Sequence, residues 1–136
     1  MTELLGTSSL AVGYGKKAIL EGLDISLQRG EILTLVGPNG GGKSTILKTV
    51  SGRIPPVSGS VFIDGKDLKS LSPRETARRI ALVLTDRVSP RLISCFELVS
   101  MGRDPYTGML GRLGAGDRRI AFEALERVGA SELSEK

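Results

Sequence analysis

An α/β fold with antiparallel strands at its N-terminal end is predicted by three features of this 136-residue chain. Two short, continuous apolar runs, Ile32–Val36 and Ile80–Leu84, have the length and branched side chains of buried strands. A glycine-rich stretch, Gly37–Thr45 (GPNGGGKST), separates the first run from a segment with helically spaced apolar residues. The first thirty residues alternate loosely between apolar and polar and are broken by glycine turns, as antiparallel strands are.

In order along the chain, Ser8–Val12 is expected to form a short strand and Gly13–Lys16 a turn. Ala18–Leu27 follows, with apolar residues at 19, 20, 23, 25 and 27, and closes at Arg29-Gly30. Ile32–Val36 is the strand that feeds the glycine loop. Ser44–Val50 should be a helix with Ile46, Leu47 and Val50 on its apolar face, stopping near Gly52. After the break at Pro55–Gly59, Ser60–Ile63 is a strand and Asp64-Gly65 a tight turn. Ser72-Pro73-Arg74-Glu75 combines a serine cap, a proline at the first helical position and a glutamate three residues on, so a helix should run to about Arg79. Ile80–Leu84 is the second buried strand. Phe96–Met101 should form a short helix, Gly108–Gly116 a surface loop, and Asp117–Val128 a helix ending at Gly129.

The stretch 37–45 fits G-x-x-x-x-G-K-S/T, with Gly37, Gly42, Lys43 and Ser44 at the fixed positions. Glycines at 40, 41 and 42 allow consecutive N–H groups to turn inward around phosphate oxygens. The following helix aims its unpaired N-terminal N–H groups and the positive end of its dipole at the same place. Lys43 would bring a cation to the β- and γ-phosphates, and the Ser44 hydroxyl would ligate Mg²⁺. Together with Asn39 and Thr45, these residues are the candidate nucleotide-binding set, with Ser44 as the metal ligand and a nucleotide with Mg²⁺ as the implied cofactors.

Composition narrows the alternatives. A formal charge of +4 with well-mixed acidic residues and few aromatics points to a solvated surface, and no nucleic-acid partner is expected. No apolar run approaches the roughly 20 residues that span a bilayer. Met1-Thr2-Glu3 and the short apolar pair after it lack the basic start and long apolar stretch of a secretion signal. The single cysteine, Cys95, fits a reducing compartment. With no histidine in the chain to activate it, Cys95 is expected to be a small core residue rather than a nucleophile.

With these pieces located, the chain resembles the N-terminal half of the ATP-binding subunit of an ABC transporter. The resemblance covers Ser9–Leu133. It is carried by ILEGLDISLQRGEILTLVGPNGGGKST and SGRIPPVSGSVFIDGKDL, almost in register with the family pattern. SPRETARRIALV followed by FELVSMGRDPYTGMLGRL is similar to the branch serving iron-chelate, haem and cobalamin uptake. The resemblance implies a P-loop NTPase sheet with an N-terminal antiparallel β subdomain. It also implies a cytoplasmic, membrane-peripheral importer subunit that dimerises with its own copy, sandwiches ATP and works beneath membrane-spanning permease subunits. Tyr14 lies 23 residues before Gly37, about where the family places an adenine-stacking aromatic; packing in the core is the alternative.

Two departures stand out. Where family members usually carry a Mg²⁺-contacting glutamine, this chain has Thr85 followed by Asp86, either a variant doing the same job or a change in metal handling. The chain also reaches Lys136 before the family's signature, its acidic Walker B strand with the catalytic glutamate, and its switch histidine. The expectation is a partial ABC-type domain over residues 1–136, truncated before those segments. No catalytic residue is assigned, and the chain alone should not hydrolyse ATP. Without a neighbouring strand, Ile32–Val36 should expose apolar side chains and unpaired backbone, so the segment alone should be poorly soluble or partly unfolded. A soluble, non-transport ABC-type ATPase or another P-loop NTPase is the alternative reading.

Overall fold

The structure, a computed structural model, describes residues 3–83, 85 and 92–136. The backbone divides into two compact units, Met1–Leu82 and Val83–Lys136.

The first unit is organised by one long strand. β1 (Glu3–Tyr14) runs well beyond the predicted Ser8–Val12 and pairs on both edges. Its first half takes β3 (Ser26–Gln28), its second half takes β2 (Lys17–Leu23), and its other edge takes β4 (Ser58–Ile63), all antiparallel. The predicted single segment Ala18–Leu27 is thus two strands, separated at Asp24-Ile25. Ser9 adopts a positive φ of 44° inside a register shift against β4, a bulge that lets β1 serve different partners along its length. Asp64 and Gly65, both at positive φ, close the hairpin from β4 to β5 (Lys66–Asp67), as the dipeptide predicts.

Leu10 and Val12 of β1 join Val61 and Ile63 of β4 and Ile46 of α1 (Lys43–Val50) in a buried cluster. Each such apolar side chain, fully buried, stabilises the unit by about 1.5–3 kcal/mol. The helix presents a narrower apolar face than predicted. Ile46 is buried and Val50 packs partly against the cluster, but Leu47 is exposed. Thr49, also on the inner face, is fully buried and satisfies its hydroxyl by donating to the Thr45 carbonyl at 2.8 Å.

Neither apolar run forms the strand predicted for it. Residues 32–36 enter no ladder among the described residues; Ile32 and Val36 are 93% and 90% exposed, and only Leu35 packs against the core. Residues 80–83 likewise form no strand, with Ile80 reaching the core and Val83 exposed; Leu84 lies outside the described residues. The physical reason is shared. A parallel strand needs a neighbour on at least one edge for its N–H and C=O groups, and the β1-centred sheet offers its edges elsewhere. The exposure of Ile32 and Val36 is the outcome expected for an unpaired segment.

α2 (Pro73–Ala77) begins as predicted, with Ser72 and Glu75 forming a reciprocal capping box and Pro73 in the first turn, and ends two residues before Arg79. In the second unit, α3 (Cys95–Ser100) is capped in the same way by Ser94 and Glu97. α4 (Ala115–Arg127) starts two residues earlier than predicted and takes part of the expected 108–116 loop. Phe96, Ala121 and Leu125 are its buried centre, with Cys95 and Val99 packed partly against them. The Phe96 and Phe122 rings meet at 4.5 Å, whereas Ile120 and Val128 of the predicted apolar face remain exposed.

Candidate functional site

The glycine loop occupies the step between residue 36 and α1. Gly40 and Gly42 have φ of 79° and 88°, left-handed values that fold the backbone back on itself. Between them, the Gly41 N–H donates to the Pro38 carbonyl at 3.1 Å and closes the turn. Gly42 is the N-cap of α1 and accepts the helix's first bond, from the Ile46 N–H at 2.9 Å. No side chain caps this helix and no acidic residue stands in its first turn. The N–H groups of Lys43, Ser44 and Thr45 therefore precede the helical ladder, at the positive end of the dipole, with no carboxylate to neutralise it.

Lys43 folds back across the loop. Its ammonium donates to the carbonyls of Gly37 at 2.8 Å and Pro38 at 2.6 Å. The cation is thus held over the turn rather than extended into solvent. Asn39 and Ser44 are exposed beside it, so the Ser44 hydroxyl is accessible. Thr45 is buried, which leaves its backbone N–H, not its side chain, as its contribution to the loop.

The loop is supported from below by β2. A Cβ placed on Gly42 would lie 2.8 Å from Leu20 Cδ1 and 3.4 Å from Ile19 Cγ2, so the loop rests directly on this strand. Sequence reasoning missed that support, because nothing in ILEGL marks two apolar residues as facing a loop twenty residues on. The same strand locates Tyr14, whose Cα partner across the hairpin is Lys17. Lys17 and Leu20 are separated by about 10 Å along a strand rising about 3.3 Å per residue. Tyr14 is 55% exposed, which sets aside the core-packing alternative. Thr85 is exposed in a bend, and Asp86 lies outside the described residues.

Among the described residues no group of three or more His, Cys, Asp or Glu side chains could hold a metal. The exposed Ser44 hydroxyl at the start of α1 could give one oxygen to a hard cation such as Mg²⁺. A cavity of about 560 Å³ lies elsewhere in the first unit, between Ile54, Pro56, Leu68, Leu71 and Ile80. Its mostly apolar walls and lack of any loop residue disqualify it as a phosphate site.

A glycine turn at a helix start, crossed by its own lysine and followed by an exposed serine, fits the pattern of a phosphate-binding loop. Comparison with known proteins specifies the family. The ABC transporter family model matches residues 20–136, and the chain belongs to that family. An ABC transporter ATP-binding protein of Methanocaldococcus jannaschii is 44% identical over 98% of this chain and 46% of its own length. The iron(3+)-hydroxamate import ATP-binding protein of Bacillus subtilis is 42% identical over 97% of this chain and 49% of its own. The hemin import ATP-binding protein of Gloeobacter violaceus is 38% identical over 98% and 48%. Among solved structures, an ATP-binding subunit of an ABC transporter superposes with a TM-score of 0.78 at 28% identity, covering 97% of this chain and 53% of that one. A nucleotide-free ATP-binding cassette superposes at 0.77 with 26% identity, over 98% and 57%. The chain spans about half the length of the curated relatives it matches. Among the described residues no helix is long and apolar enough to cross a membrane.

Proposed function

We propose that this chain supplies the nucleotide-gripping part of the ATP-binding, energy-coupling subunit of an ABC importer for iron chelates, with haem or cobalamin as related cargo. The observation that carries the proposal is the loop itself: two left-handed glycines, an uncapped helix start and the Lys43 ammonium converge on one spot. In that reading Gly37, Asn39, Gly40, Gly41, Gly42, Lys43, Ser44 and Thr45 surround the triphosphate. Lys43 neutralises its charge, Ser44 adds a ligand to Mg²⁺, and Tyr14 covers the adenine face. Mg²⁺, held in part by the Ser44 hydroxyl, would offset the charge of the phosphates.

The iron-chelate assignment is supported by the names of relatives 42% and 38% identical to this chain, which import iron(3+)-hydroxamate and hemin. The whole protein would work as a homodimer at the cytoplasmic face of the inner membrane, bound to membrane-spanning permease subunits. ATP hydrolysis would belong to that assembly, because Lys43 and Ser44 position phosphates but no residue of the loop can act as a base.

The test is calorimetric titration of MgATP into the whole protein and its Lys43→Ala variant. Saturable uptake by the first and a loss of about tenfold or more in the second are expected, since a charge-assisted hydrogen-bonding partner of the phosphates is removed. Absence of uptake by the unaltered protein, or equal uptake by both, would overturn the proposal.

A further inference from the structure

We infer that Leu20, which is not a member of the phosphate loop, is the positioning residue that sets the loop's shape for phosphate binding. The inference rests on the reading above and extends it to a residue on a different element. Three observations lead to it. Gly42 is the hinge of the loop: it holds a φ of 88°, is buried, and accepts the first helical bond. No side chain caps the helix that follows, so hydrogen bonding to a cap does not fix where its N–H groups point. What does touch Gly42 is β2, chiefly Leu20, whose Cδ1 would stand 2.8 Å from a Cβ there.

Leu20 is itself held. It packs partly against the cluster containing Val12 and Ile46, and its Cα partner across the hairpin is Val12. Register shifts on both sides of Val12 isolate this pair within the β1–β2 ladder. One side chain therefore bears on the sheet, on the core that anchors α1 through Ile46, and on the turn that precedes α1. Shortening it would leave Gly42 without its floor, while the rest of the core kept Ile46 in place. The loop's N–H groups would then converge less closely, and phosphate binding would weaken without loss of any ligand-contacting group.

The experiment titrates MgATP, and separately magnesium triphosphate, into the whole protein and three variants. Inorganic triphosphate has no base, so Tyr14 does not enter its binding. Leu20→Ala should weaken both ligands about tenfold, whereas Leu20→Met, which restores the bulk, should stay within about twofold of wild type. Leu5→Ala is the control: Leu5 flanks the same core cluster, on the part of β1 that pairs with β3, and the change should also stay within about twofold. Triphosphate binding by Leu20→Ala equal to wild type, or an equal loss in Leu5→Ala, would overturn the inference. If Leu20→Ala does not fold, Leu20→Val decides, with a loss of about threefold supporting it and no loss overturning it. Failure of the unaltered protein to bind either ligand would instead remove the nucleotide-binding reading itself.

Discussion

Asp117 is bonded through both carboxylate oxygens: Oδ1 accepts from the Arg103 side chain at 2.9 Å, and Oδ2 from the Gly114 N–H at 3.1 Å. One side chain thereby ties the start of α4 to the 3₁₀ segment Met101–Tyr106, where Arg103 also lies over the Tyr106 ring at 4.2 Å. The Arg103 guanidinium first, and the Gly114 N–H second, hold the carboxyl below the usual aspartate range. Because the folded state lowers this pKa, the stabilisation is complete above about pH 4 and fades as the pH falls through the folded value. The difference between thermal melts of wild type and Asp117→Asn should therefore be full at pH 7 and shrink as the pH falls below about 4. A constant difference across that range would contradict the linkage.

Tyr14 is exposed at the end of β1, so its ring contributes little to the core and is available to a ligand. Tyr14→Ala should lower ATP affinity by about 1–3 kcal/mol, the usual value of base stacking on an aromatic ring. Tyr14→Phe should keep the affinity, and neither change should affect binding of inorganic triphosphate. Fluorescence titration with ATP and triphosphate side by side would check all three statements.

Gly40 and Gly42 share a left-handed backbone but differ in surroundings: a Cβ at Gly40 meets open space, while one at Gly42 meets Leu20. Gly40→Ala should cost about 1 kcal/mol of stability from backbone strain alone. Gly42→Ala adds to the strain a contact that the Leu20 methyl must relieve, and should cost somewhat more, about 1–2 kcal/mol. Denaturant melts of the two variants should rank in that order; equal costs would show that Leu20 yields freely.

Ser44 is exposed at the first turn of α1, beside Lys43. Ser44→Ala should leave metal-free ATP binding within about twofold of wild type, because the loop N–H groups and the ammonium remain. The gain on adding Mg²⁺ should largely disappear. Titrations with and without EDTA separate the two effects, and an unchanged Mg²⁺ gain would exclude Ser44 as a ligand.

Features encoded locally were the legible ones. The capping box at Ser72 and Glu75, the Asp64-Gly65 turn and the glycine loop each depend on residues a few positions apart, and each is present. The limits of β1 were not legible, because the bulge at Ser9 breaks the alternation that would have connected Glu3–Thr7 to the rest of the strand. Ile32–Val36 and Ile80–Leu84 show the opposite failure. An apolar run records a demand for burial, but a strand also needs a hydrogen-bonding neighbour, and no local pattern supplies one. The floor beneath Gly42 is a tertiary contact and left no trace in spacing. The early start of α4 did leave one: Asp117 lies three residues after Gly114, the spacing at which a carboxylate reaches back to an N-cap N–H.

The Gly37 and Pro38 carbonyls, which accept from the Lys43 ammonium, compete for it with any anion that approaches. A small monovalent ion offers too little in exchange for those two acceptors. A polyphosphate, with many oxygens spread over several ångströms, can replace both and still engage the amides beyond. A loop built this way would favour long, highly charged chains over small monovalent anions.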